Sequence, residues 1–161
     1  MRVERFLTDS AQTFPEKTAL ITADRRLTYA ELNRLTDALA ASLAAQGVKR
    51  SDRVLVFMDN CWEAAVSIFA ILKAGGTFSP INASTKGNKL AYIIGNCEPA
   101  AILTQARLMP VVREALTEHP GRQIAVLSTE GRNGVPQGAG SFAAALQGSA
   151  TPPAHGSIEA D

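Results

Sequence analysis

The sequence predicts an α/β domain built on a mainly parallel sheet. Four short apolar runs of strand length stand at 53–58, 77–81, 100–104 and 123–128. They are continuous rather than alternating, as in strands buried on both faces of a parallel sheet. They begin about every 23 residues, with helical periodicity filling each interval between them. Strand, helix, strand in this rhythm requires crossover connections, which run right-handed in a parallel sheet. The units share a period and nothing else, so this is not an internal repeat.

The elements follow in order. Val3, Phe6, Leu7, Ser10, Ala11 and Phe14 recur at helical spacing until Pro15 ends the run. A short apolar run at 18–22 and the segment at Leu27, joined by the turn-like Ala23-Asp24-Arg25-Arg26, suggest a strand pair. Thr28-Tyr29-Ala30-Glu31 is a capping box: the threonine hydroxyl accepts from the third residue's amide while the glutamate reaches back. The helix it opens carries Leu32, Leu35, Leu39 and Leu43 on one face and stops at Gly47. After the first long strand, Asn60 and Glu63 offer a second cap for a helix ending at Gly75-Gly76. Thr85 offers a third, for a helix bearing Leu90, Ile93 and Ile94, and 109–118 is the last helix of the series. Residues 1–128 thus form the domain. Residues 129–161, rich in Gly, Pro, Ser and Ala, are expected as a loop or linker with one short helix around Phe142 and Leu146.

Composition excludes several functions. A net charge of +1 without a basic run gives nucleic acid no electrostatic footprint. No apolar stretch approaches the roughly 20 residues of a membrane span, and charges interrupt the N-terminus as they would not in a signal peptide. Two cysteines, Cys61 and Cys97, supply neither a disulfide framework nor a four-ligand zinc site. A cytoplasmic location is the default expectation.

Candidate chemistry is sparse. A dinucleotide-like glycine spacing occurs at Gly138, Gly140 and Ala143, but the preceding strand ends at Ser128, too early to place a pyrophosphate at a helix N-terminus. His119 and His155 lack a carboxylate or cysteine partner and are expected in solvent. Cys61 would sit in a helix's first turn, where the dipole lowers a thiol pKa, yet no base stands near it; a small semi-buried residue is expected, as for Cys97. Asp52-Arg53 and Asp59-Asn60 bracket the first strong strand. Ligands of open α/β sheets bind beyond the carboxyl ends of strands, which puts Asp59 and Asn60 on the favoured edge, with Asn60 also serving as the N-cap. No residue is assigned a catalytic, cofactor-binding or metal-binding role.

Three segments nevertheless resemble one family. Phe14-Pro15-Glu16-Lys17-Thr18-Ala19-Leu20 with Leu27-Thr28-Tyr29-Ala30-Glu31-Leu32 is similar to the first core motif of adenylate-forming (AMP-binding) enzymes, the acyl-CoA synthetases, luciferases and peptide-synthetase adenylation domains. Gly47-Val48 to Asp52-Arg53-Val54 resembles the turn and strand that follow. Leu72-Lys73-Ala74-Gly75-Gly76-Thr77-Phe78-Ser79-Pro80-Ile81-Asn82 resembles the second core motif. The stretch from Asn82 to Ile94, then Cys97, is more similar to acyl-CoA ligases than to peptide synthetases.

The resemblance implies the partial N-terminal domain of an adenylate-forming fold. It also implies a chemistry, that of fatty acid metabolism: ATP and a carboxylate give an acyl-adenylate, which coenzyme A captures, with Mg2+ assisting. Ser157-Ile158-Glu159-Ala160-Asp161 resembles the lead-in to the family's ATP phosphate loop. The expectation is therefore a fragment, inactive alone, whose partners are the remainder of the same enzyme or further copies meeting through an exposed apolar face. The alternatives are a non-catalytic binding or complementation module and an unrelated flavodoxin-like nucleotide binder.

Overall fold

The computed structural model describes residues 3–148. Helix α1 (Glu4–Thr13) precedes an antiparallel pair, β1 (Thr18–Ile21) and β2 (Arg26–Thr28), and helix α2 (Tyr29–Ala45). Then β3 (Arg53–Phe57), α3 (Trp62–Lys73), β4 (Thr77–Ile81), α4 (Gly87–Cys97), β5 (Ala101–Thr104), α5 (Met109–Thr117) and β6 (Ala125–Ser128) alternate. Strand β7 (Gly140–Ser141) and helix α6 (Phe142–Ala145) close the described chain. The second sheet is five-stranded and parallel throughout, in the order β4-β3-β5-β6-β7.

The continuous apolar strands have the physical consequence expected of them. Val54 and Val56 face one core with Leu103 and Leu127, while Leu55 and Phe57 face another with Ile102 and Val126. The first core is covered by α2, α3 and α6, the second by α4 and α5. Leu32, Leu35, Leu39 and Leu43 of α2 are all buried, each contributing roughly 2 kcal/mol relative to an exposed side chain.

The capping box is present as read. Thr28 Oγ1 accepts from the Glu31 amide at 3.2 Å, and Glu31 Oε2 accepts from the Thr28 amide at 2.8 Å. The other two caps are not. Cys61 occupies the N-cap of α3 and Lys86 that of α4, and neither gives a side-chain bond. Asn60 lies one residue too early in an exposed loop, and Thr85 likewise precedes the cap position. At the start of α4 a different group intervenes: the Glu114 carboxylate of α5 occupies the space that a side chain at Gly87 would fill.

Lys73, in the second core motif, is only 7% exposed. Its ammonium donates to Asp37 Oδ1 at 2.6 Å and Asn33 Oδ1 at 2.8 Å, both on α2, and Asn33 Nδ2 donates to Asp37 Oδ2 at 3.0 Å. One turn on, Gly75 takes a positive φ of 77°, and a Cβ at Gly76 would stand 3.1 Å from the Asp52 carbonyl. The glycine pair thus turns the chain tightly from α3 into β4.

The segment beyond Ser128 is more than a loop. Gly140–Ser141 extends the sheet beside β6, and Phe142 is 1% exposed in the first core. Its glycine-rich composition hid a strand because Gly140 must approach Leu127 closely; a Cβ there would meet Leu127 Cδ2 at 2.9 Å.

Candidate functional site at the carboxyl edge of the sheet

The chain leaves β3 toward β4 on one side and leaves β5 toward β6 on the other. Between β3 and β5 lies the reversal of strand order, where open α/β sheets leave a crevice beyond their carboxyl ends. Two loops meet there, Met58 to Cys61 and Gln105 to Arg107. Arg107 donates from Nε and Nη2 to Asp59 Oδ2, the Nε contact being 3.0 Å. Gln105 accepts the Asp59 amide on Oε1 at 3.0 Å, and its Nε2 lies 3.9 Å from Cys61 Sγ. The strand ends are tied below this layer by Thr104, whose buried hydroxyl donates to the Phe57 carbonyl at 2.9 Å.

Two shallow clefts flank the Asp59–Arg107 pair. One, with Met58, Ala64, Ile68 and Ile81 below Asn60 and Asn82, opens toward β4. The other, walled by Gln105, Arg107, Thr129, Glu130 and Arg132, opens toward β6. The pair itself is about half exposed, so water screens it and its energetic weight is small.

Of the residues singled out in the sequence, Asp59 reaches this edge and finds a partner there, while Asn60 is exposed beside it. Gln105 and Arg107 were not singled out. The signal that would have found them is their place directly after β5, which becomes meaningful only once β5 is known to lie beside β3. Cys61 is at the edge too, but burial pushes its thiol up to about 11, so it stays protonated and unreactive near neutral pH.

The remaining candidates lie elsewhere. Cys97 is half-buried at the end of α4, its carbonyl accepting from Arg53 Nη1 at 3.1 Å. His119 is not simply solvated: its Nε2 stands 2.8 Å from the Ala91 carbonyl, and its ring rests against Gly95. The close approach of α5 to a small-residue face of α4 makes that contact. His155 lies outside the described residues. Gly138 precedes β7, Gly140 lies in it and Ala143 in the four-residue α6, whose cap is Ser141. That arrangement lacks the strand, turn and helix order of a dinucleotide site. Among the described residues no three His, Cys, Asp or Glu side chains gather to hold a metal ion. The arrangement offers a polar edge with a fixed ion pair; it offers no nucleophile beside a base.

Comparison with known proteins accounts for this scaffold. The family described as AMP-binding enzyme matches residues 7–155. Tyrocidine synthase 2 of Brevibacillus parabrevis is 41% identical over 62% of this chain, which corresponds to 3% of that protein. A benzoate CoA ligase from Burkholderia xenovorans superposes with a TM-score of 0.84 at 21% identity, over 99% of this chain and 31% of its own. The Mycobacterium smegmatis protein MbtA superposes at 0.79 with 28% identity, over 96% of this chain and 29% of its own. The chain spans under a third of the length of these relatives, all of it within the N-terminal part of the adenylate-forming fold. With its capped first motif, its parallel sheet and its glycine-paired second motif in the order that family requires, the chain belongs to the AMP-binding enzyme family.

Proposed function

We propose that this chain supplies the N-terminal scaffold of an enzyme that joins a carboxylate to ATP as an acyl-adenylate, with pyrophosphate leaving, and then passes the acyl group to coenzyme A. By itself it does not catalyse the reaction. The observation that carries this reading is the pairing of a family match over residues 7–155 with an edge whose polar side chains, Asp59, Gln105 and Arg107, are spent on one another. Donors arranged around the developing charge are usually the largest single catalytic contribution, and the sequence contains no phosphate loop. The chain's own residues provide the rigid strand ends on which such donors would be mounted.

The likeness of its fold to CoA ligases supports the choice of coenzyme A, with a fatty or aromatic acid as substrate. A second reading, amino-acid activation without coenzyme A, is favoured by the identity to tyrocidine synthase 2. In either case the partner is the rest of such an enzyme, or another copy. Val3, Phe6 and Phe14, exposed and at helical spacing at and beside α1, support an association of that kind.

The test is carboxylate-dependent exchange of labelled pyrophosphate into ATP. The purified 161-residue chain should give none with fatty, aromatic or amino acids; exchange by the chain alone overturns the reading. Co-expression with a polypeptide beginning at a family phosphate loop should restore exchange, and the acid that supports it separates the two substrate classes.

A further inference from the structure

Helix α1 is attached to the domain in a way no other long helix is. It buries one residue, Leu7, where α2 buries seven and α3 five. Its N-cap residue, Val3, gives no side-chain bond. Two of its hydroxyls, on Thr8 and Thr13, turn back onto the carbonyls of Glu4 and Asp9, a pattern that slightly weakens a helix. At ten residues it is shorter than helices that persist alone in water. Its outer face adds nothing, because Val3 and Phe6 are each 57% exposed.

One polar attachment supplements Leu7. Glu4 acts favourably on the Lys73 ammonium, the same buried group that Asp37 and Asn33 hold from α2. Loss of Glu4 leaves that ammonium with its 2.6 Å partner, so the core keeps its charge compensated when α1 departs. Past α1 the chain is fixed again at once: Pro15 and Lys17 carbonyls accept from Ala30 and Tyr29 amides, each at 3.0 Å. Any movement of α1 therefore pivots at Phe14, which sits at φ −134° and ψ 55°, outside the helical region.

We propose that α1 is a detachable strap, a helix that lifts from α2 and α3 as one unit about Phe14 while the sheet and the other helices stay folded. Its release uncovers the part of the first core that Leu7 covers. Such sub-global opening is characteristic of segments with few buried apolar contacts. This inference is independent of the activity proposed above.

Hydrogen exchange on the full 161-residue chain tests it. Amides of Glu4–Thr13 should exchange roughly a hundredfold faster than those of β3 and β5, with little dependence on added denaturant. Glu4→Gln should speed α1 exchange by roughly tenfold, the scale of a lost charge-assisted contact, and leave β3 and β5 unchanged. Leu7→Ala should remove protection from α1 alone. A single exchange rate and a single denaturant dependence for α1 and the sheet would overturn the proposal, as would a Glu4→Gln effect shared equally by α1 and β3. Because Glu4→Gln keeps the apolar anchor, it decides the matter even if Leu7→Ala unfolds the chain.

Discussion

Helices α2 and α4 lie on opposite faces of one sheet, and they begin differently. Helix α2 is closed by its own neighbours in sequence, Thr28 and Glu31, in a reciprocal pair of bonds. Helix α4 has no side-chain cap, and the carboxylate beside its first residue comes from Glu114, on the next helix. A negative charge favours a helix N-terminus in either case, but only the first arrangement exists before the chain folds. The lesson extends to Lys73, whose partners stand 36 and 40 residues away. Features made locally should cost their own bond when broken; features made by folding should also leave a buried group stranded.

The largest effect tests the second half of that contrast. Asp37→Ala removes the nearest counter-charge of a buried ammonium and should lower stability by about 3 kcal/mol, by the usual cost of breaking a buried pair. Urea unfolding measures it. A loss no greater than that of the local cap would dissolve the distinction drawn here.

Thr28→Ala comes next, with a loss of about 1 kcal/mol from the missing cap. An unchanged unfolding midpoint would remove the capping box from the account of α2. Third is Gly87→Ala. A helical Gly→Ala exchange ordinarily stabilises by about 1 kcal/mol, but here the new methyl displaces the Glu114 carboxylate and forfeits about 0.5 kcal/mol of its attraction to the helix end. The gain should therefore appear reduced in the parent and in full in a Glu114→Ala background. Equal effects in both backgrounds would show that Glu114 does not serve α4.

The smallest effect is on pH dependence. The bond from the Thr28 amide, first, and the Thr28 hydroxyl hold the Glu31 carboxyl below its ordinary value of 4.5. A carboxyl depressed on folding stabilises the fold above its unfolded pKa, and that contribution fades as pH falls through the folded value. Glu31→Gln should flatten the acid limb of stability as pH falls below 4.5, the ordinary value from which the folded carboxyl is lowered. An acid limb identical to the parent's would exclude Glu31 as a contributor.

What was legible follows the same division. The strands read at 53–58 and 77–81, the leucine face of α2 and its capping box depend on residues within a few positions of each other, and all appear, the first strand ending at Phe57. The cap assigned to Asn60 rested on its spacing to Glu63 and that assigned to Thr85 on residue type, and both failed by one position, because the start of a helix is set by where its apolar face meets the core. At the candidate edge, Asp59 was found from its place after a strand. Arg107 was not, since its meaning depends on the chain leaving β4 and crossing over β3 to place β5 on its other side.

By itself, the sequence determined the α/β alternation and the family likeness, because periodicity, capping and motif order are properties of short neighbouring stretches. Tertiary structure alone decided that Lys73 is a buried cross-helix tie and that His119 rests on Gly95. It likewise decided that the glycine-rich segment carries a fifth strand and that Asp59 meets Arg107. Each of these is a contact between residues more than ten positions apart. Its energy depends on the strand order and on how closely two backbones approach, and neither is written in the local pattern of side chains.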